Sequence, residues 1–350
     1  MADGVRTAVL GASGFAGGEL VRLLAEHPRF SLTFLGGGSS AGGTLAEVQP
    51  HLRELAAATL PIRPIGAGAI GAEAALVFSA MPHGESARIA ASLLELGCTV
   101  IDLAGDFRLD AADYPDWYGF DHPAPAWIDK AVYGLPELFA EHLGGARLVA
   151  NPGCFPTSVI LGCAPAIVAG LLEPSPIHVD GKTGLSGAGR GAGEAASFAA
   201  SEDAIRPYRA PRHQHTPEIE RGLELATGQP VRATFVPHLV PAVRGIVTTT
   251  YAPLAPGATG EDLIECLAAA YAGRPFVRVL PPGQMVNTKR IRGTNVIELQ
   301  AIADDRTGTA IVIGALDNLI RGAAGQAIQN ANLVVGIDEA TALPTVAGYP

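Results

Sequence analysis

The sequence predicts an α/β protein: a Rossmann-type doubly wound parallel sheet, followed by an α+β domain with a mixed sheet. Three observations carry that prediction. A short apolar run at residues 7–10 ends in a glycine-rich turn and leads into helical spacing at 19–24. Apolar strands then alternate with helices up to about residue 150. Beyond that point strands follow one another with fewer helices between them.

Taken in order, a second strand fits residues 32–35 and a third 75–79. The loop Met81-Pro82-His83-Gly84 and a helix through Leu94 follow, then a fourth strand at 99–103. In the second half, strands fit 177–179, 233–237, 246–251, 277–280, 296–302 and 310–313. Residues 317–332 read as a helix with Leu319, Ile320, Ala323, Ala324, Ala327 and Ile328 on one face. Its small residues suit close packing, so the helix is expected to return to the first domain. The expected division is 1–150, completed by 317–350, as a dinucleotide-binding domain, and 151–316 as a catalytic and oligomerisation domain.

Composition narrows the function classes. The chain has 350 residues, 48% hydrophobic and 17% charged, enough for two domains with buried cores. The net charge of −10, without a basic block, argues against nucleic acid as a partner. An anionic substrate would need a local cluster of Arg, Lys or helix N-termini. The start of the chain lacks a secretory pattern, and no apolar run approaches the ~20 residues of a membrane helix. Four cysteines, Cys98, Cys154, Cys163 and Cys266, stand far apart without a CxxC pair. They read as reduced thiols of a cytoplasmic enzyme.

The first turn reads Gly11-Ala12-Ser13-Gly14-Phe15-Ala16-Gly17. Gly11 allows a tight turn, and Gly14 and Gly17 let the backbone approach a pyrophosphate at the helix start. After the second strand stand Gly36-Gly37-Gly38-Ser39-Ser40, where an NAD site would offer a carboxylate to the ribose 2′-OH. Hydroxyls and backbone amides accept a 2′-phosphate instead. The expected cofactor is NADP, with Ser39 and Ser40 at its phosphate.

The most informative segment is Asn151-Pro152-Gly153-Cys154-Phe155-Pro156-Thr157-Ser158. An apolar strand ends at Asn151, and Pro156 suits the first turn of a helix. Cys154 therefore sits at or just ahead of a helix N-terminus, where the dipole and open N–H groups favour a thiolate and could hold an oxyanion. Cys98, Cys163 and Cys266 read as buried and inert. A second cluster is Arg212-His213-Gln214-His215-Thr216-Pro217-Glu218, with Thr216 as the expected N-cap and Pro217 as the first helical residue. A histidine just ahead of a helix is placed for acid/base work. His-x-His supplies two metal ligands without an evident third, so no metal site is expected.

Together these segments and Asp317-Asn318-Leu319-Ile320-Arg321-Gly322-Ala323-Ala324-Gly325-Gln326-Ala327 resemble the N-acetyl-γ-glutamyl-phosphate reductases of arginine biosynthesis, over essentially the whole chain. The resemblance implies Cys154 as nucleophile and a histidine acid/base, His215 or His213. It further implies Glu218 orienting an imidazole and Asn318 facing the nicotinamide. The loop 102–108 resembles the one that carries a phosphate-binding arginine in aspartate-semialdehyde dehydrogenases. Arg108 would grip the substrate phosphate or form a structural ion pair with Asp102, Asp106 or Asp110. Asn151 and Ser186, the latter in the glycine-rich loop 181–190, are further substrate candidates. The implied reaction is NADPH-dependent reduction of a small acyl phosphate. A mixed sheet in the second domain has an apolar face to cover, so a homodimer or homotetramer is expected. One rival is a sibling reductase acting on an aminoadipyl phosphate on a carrier protein, and the net acidity argues against an acidic carrier. Another is a dinucleotide-binding sensor without chemistry, which would not need the thiol. An aspartate-semialdehyde dehydrogenase would set its cysteine in a different local motif.

Overall fold

The computed structural model describes residues 4–191, 193 and 197–349. Contacts divide the chain into two units, residues 1–152 with 323–343 and residues 153–322 with 344–350.

The first unit is built on seven strands: β1 Val5–Leu10, β2 Phe30–Gly36, β3 Ile62–Arg63, β4 Leu76–Ser79, β5 Thr99–Asp102, β6 Val132–Tyr133 and β7 Leu148–Ala150. They pair in parallel in the order β3-β2-β1-β4-β5-β7-β6. Parallel strands need covering on both faces, so β1 is apolar throughout its second half, and Ala8, Val9 and Leu10 are fully buried. The order reverses between β1 and β4, which opens a crevice at the carboxyl ends of the strands. The returning helix, Gly325–Val334, lies against the helix Phe15–Leu24 of the same unit. The strands β3 and β6 were not expected from the sequence. Two residues are too few to show a period.

The second unit holds β8 Ile177–Thr183, β9 Arg206–Pro207, β10 Ala233–Leu239, β11 Ile246–Pro253, β12 Val277–Val279, β13 Ile297–Asp304 and β14 Thr309–Leu316. Their order is β12-β13-β14-β11-β8-β10-β9, with two parallel and four antiparallel pairings. The helix Cys154–Val168 is buried on nearly every face against this sheet. Ser158 and Thr248 share a hydroxyl hydrogen bond of 2.6 Å, which satisfies both inside the apolar layer.

Two boundaries differ from the sequence reading. Residues 317–322 and 344–350 belong to the second unit, not the first. Asp317 is held there by the Gly293 amide at 2.7 Å, and the Asn295 amide donates to the Pro344 carbonyl at 2.7 Å. The expected helix over 317–332 is also broken into a π-helical turn, Ile320–Ala324, and an α-helix from Gly325. Apolar spacing reports the buried face but does not distinguish an i−4 from an i−5 bond.

Candidate active site

The helix with the thiol starts where the sequence places it. Cys154 is its first residue and Gly153 its N-cap, in extended backbone without a side-chain cap. A helix start presents amides that lack an intrahelical acceptor and a positive potential, which favour a thiolate at this position. The Gly153 amide donates to a Glu218 carboxylate oxygen at 2.7 Å, and Glu218 is fully buried. Glu218 therefore fixes the backbone one residue ahead of the nucleophile. Replacing it with Ala strands a buried amide, so Glu218→Ala should cost about 1–3 kcal/mol in a denaturant melt. Glu218→Gln keeps an acceptor and should recover much of that loss.

Of the other three thiols, Cys98 and Cys163 are buried as expected, whereas Cys266 is only half-buried. Burial pushes the Cys98 and Cys266 thiols up and raises that of Cys163 to about 12.

The two histidines differ in burial and in bonding. The helix His215–Thr227 begins at His215, so Thr216 is its second residue, and neither Thr216 nor Gln214 caps it by a side chain. The imidazole of His213 caps instead: its Nδ1 accepts the His215 amide at 3.0 Å. His213 is 3% exposed, and burial, then the charge of Arg209, push its pKa down to about 4. Its imidazole is therefore held neutral at physiological pH. His215 is half-buried, with its ring 6.0 Å from that of Phe155, the residue after the thiol.

The folded pKa of His213 lies below the unfolded 6.5, so its neutral form contributes stability above pH 6.5. That contribution is lost as pH falls through 6.5 towards 4. Thermal melts of His213→Asn should accordingly depend less on pH in that window than those of the parent.

Tyr208 was not singled out by the sequence. Its ring stands 5.4 Å from that of His213, and burial first, then the negative charge of Cys154, push its phenol up. Arg209 beside it holds a left-handed φ of 49°, a conformation that costs a non-glycine residue energy and clusters at functional sites. Its guanidinium donates to the Gln214 side chain at 2.9 Å. The only signal for either in the sequence was closeness to His213.

The π-helical turn completes the surroundings of the thiol. Asp317 Oδ1 accepts the amides of Leu319 and Ile320 at 2.9 and 3.2 Å, and Gly322 donates back to the Asp317 carbonyl at 2.9 Å. A Cβ on Gly322 would stand 2.5 Å from Cys154 Cβ, so only glycine fits there without displacement. Asn318 is buried, its Oδ1 accepting the Gly245 amide at 2.8 Å and its Nδ2 donating to Ser186 Oγ at 3.0 Å. Asn318 and Ser186 thus join two loops of the second unit.

In the first unit, Gly11 has φ +78°, and a Cβ there would collide with the Ala80 carbonyl. Gly14 caps the helix Phe15–Leu24, with Ser13, Phe15, Ala16 and Gly17 forming the turn and first helical residues. Gln49, buried and unforeseen, donates to the carbonyls of Ala12 and Gly14 at 3.0 Å each and pins this turn. Ser39 is exposed, whereas Ser40 Oγ is buried without a hydrogen-bond partner, so its hydroxyl is left to bond a ligand oxygen. These residues fit NADP.

Asn151 and Arg108 are both turned into the first unit. Asn151 accepts Asn330 Nδ2 at 3.0 Å. Arg108 is 6% exposed and donates to the Leu103 carbonyl of its own loop at 2.9 Å, close enough for its charge to act on Asp102. Among the described residues no group of three His, Cys, Asp or Glu side chains could hold a metal ion, and no helix is long and apolar enough to cross a membrane.

Fold and site define an enzyme that pairs a dinucleotide-binding sheet with a thiol nucleophile on a separate α+β unit. Two family descriptions match in the same arrangement: the semialdehyde dehydrogenase NAD binding domain over residues 6–146 and the dimerisation domain over 154–318. The chain is 45% identical to the N-acetyl-γ-glutamyl-phosphate reductase of Symbiobacterium thermophilum, covering 97% of each chain. It is 42% identical to that of Magnetococcus marinus, covering 99% of each. The chain belongs to the N-acetyl-γ-glutamyl-phosphate reductases of the semialdehyde dehydrogenase family. Among solved structures it is similar to aspartate semialdehyde dehydrogenase II of Vibrio cholerae, at TM-score 0.73 and 16% identity over 95% of this chain and 98% of that one. The Candida albicans enzyme solved with NADP gives 0.66 and 19%, over 94% and 98%.

Proposed function

We infer that this chain reduces N-acetyl-γ-glutamyl phosphate to N-acetylglutamate 5-semialdehyde and phosphate, with NADPH as reductant, in the arginine route. The observation that carries the reading is Cys154 at a helix start whose preceding amide is fixed by buried Glu218. An acyl phosphate is already activated, so no ATP is required. The Cys154 thiolate attacks the acyl carbon; the S–C bond forms, the C–O bond to phosphorus breaks, and phosphate leaves. The amides of the first helical turn hold the oxyanion. Bound NADPH supplies a hydride to the thioester carbon. His215 gives a proton to the thiohemiacetal oxygen left by hydride addition and takes it back as the C–S bond breaks, which re-forms the carbonyl, releases the aldehyde and restores the Cys154 thiolate. His215 takes this role because His213 is committed to capping and kept neutral by burial. Asn318 and Ser186 act by holding the loops around this turn, and Tyr208 borders the thiol.

The mixed sheet leaves part of one face open, with Tyr251 of β11 40% exposed, and we place a homodimer or homotetramer contact there. A cytoplasmic location keeps the thiol reduced.

The test is NADPH oxidation with free N-acetyl-γ-glutamyl phosphate, or phosphate-dependent oxidation of its semialdehyde. Turnover only with an aminoadipyl phosphate on a carrier protein would overturn the substrate. NADH matching NADPH in kcat/KM would overturn the cofactor.

A further inference from the structure

The first unit carries a groove of about 590 Å³ at the carboxyl ends of β2, β3 and β4. That is within the ~300–1,000 Å³ of small-ligand sites. Its apolar walls include Pro64 and Ile65 after β3, Met81 after β4, and Ile89 on the helix Glu85–Glu95. Gly37 and Gly38 form its edge at the end of β2, and a Cβ on Gly38 would meet nothing within 4 Å. In a doubly wound sheet, the end of the second strand is where the adenosine ribose of a dinucleotide lies. The apolar walls suit its adenine.

Arg88 lines the same groove. It is exposed, and its guanidinium makes no hydrogen bond or ion pair with any described residue. Its helix is nonetheless firmly based. The amides of Gly84 and Ala87 donate to buried Asp106 at 2.8 and 2.9 Å, and Ser86 Oγ donates to buried Asp102. An unpaired guanidinium on a fixed helix turn, beside a groove of small-ligand size, has the donor geometry to grip a phosphate as a fork. Ser40, two residues past Gly38, holds its orphaned buried hydroxyl in the same strand-end loop. Glu85 also lines the groove and offers an acceptor to a ribose hydroxyl, but a carboxylate cannot receive a phosphate.

We propose that Arg88, assisted by the Ser40 hydroxyl, reads the 2′-phosphate of the cofactor and is the main source of selectivity for NADP over NAD. The assignment rests on the NADP reading above. It gives the 2′-phosphate a cation that lies on the helix after β4, far in sequence from the strand-end serines.

The test is calorimetric titration of the full chain with 2′,5′-ADP and with 5′-AMP, which needs no turnover. The parent protein should bind 2′,5′-ADP more tightly than 5′-AMP. Arg88→Gln should weaken 2′,5′-ADP by ~10-fold or more and leave 5′-AMP within about twofold, with Arg88→Lys in between. Retained 5′-AMP binding shows that the variants are folded. Gly38→Asp, which places a carboxylate in open groove space, should likewise weaken only 2′,5′-ADP. If the parent prefers 2′,5′-ADP and Arg88→Gln keeps that preference, the role of Arg88 is overturned and NADP stands. If the parent binds both ligands equally, the NADP reading itself fails.

Discussion

Cys154→Ser should retain NADPH binding and lose reductase turnover by at least ~10³-fold. A serine hydroxyl at a helix start stays protonated at neutral pH, whereas a thiol there ionises. A serine ester would also give up its hydride product less readily, because an alkoxide is a poorer leaving group than a thiolate. The fold should be unaffected, since the side chain is only partly buried and the bond that fixes its turn runs from the Gly153 amide to Glu218. Binding by quenching of the protein's fluorescence and turnover by loss of nucleotide absorbance separate the two effects. Turnover near that of the parent would sink the covalent route.

The second large effect is expected from one methyl group. Gly322→Ala sets a Cβ 2.5 Å from Cys154 Cβ, well inside contact distance. Something must shift, and the π-helical turn is fixed at its start by the bonds to Asp317. The thiol side is fixed by Glu218. A displacement of the nucleophile by about 1 Å costs ~10² in rate, so kcat should fall by about that factor. Cofactor affinity should not change. An alanine variant as fast as the parent would show that the two segments part freely and that their contact does not set the geometry of the thiol.

Most of the first unit's strands were legible because their cause is local. Strands covered on both faces must be apolar runs, and a glycine turn between strand and helix is written in adjacent residues. The two-residue strands β3 and β6 were not, since pairing with a neighbour defines them and no period of their own does. The break in the 317–332 helix was invisible for a similar reason: the choice of a π-helical turn is made by Asp317 and by the space beside Cys154.

Cys154 divides the two kinds of information. That it stands at a helix start followed from the residues next to it, because a helix start needs only a turn before it and a helix after it. What the sequence did not contain was how the thiol is held. Glu218 accepts an amide 65 residues away, a partner that nothing beside it in the chain announces. His213 and His215 looked alike until folding buried one and made its ring the cap of the other's helix. Arg88 became a candidate phosphate ligand only when three strand ends met around one groove. Dipoles, turns and periods act over a few residues and are readable in order along the chain. Burial, and the pairing of a buried polar group with its partner, depend on segments that only the tertiary structure brings together.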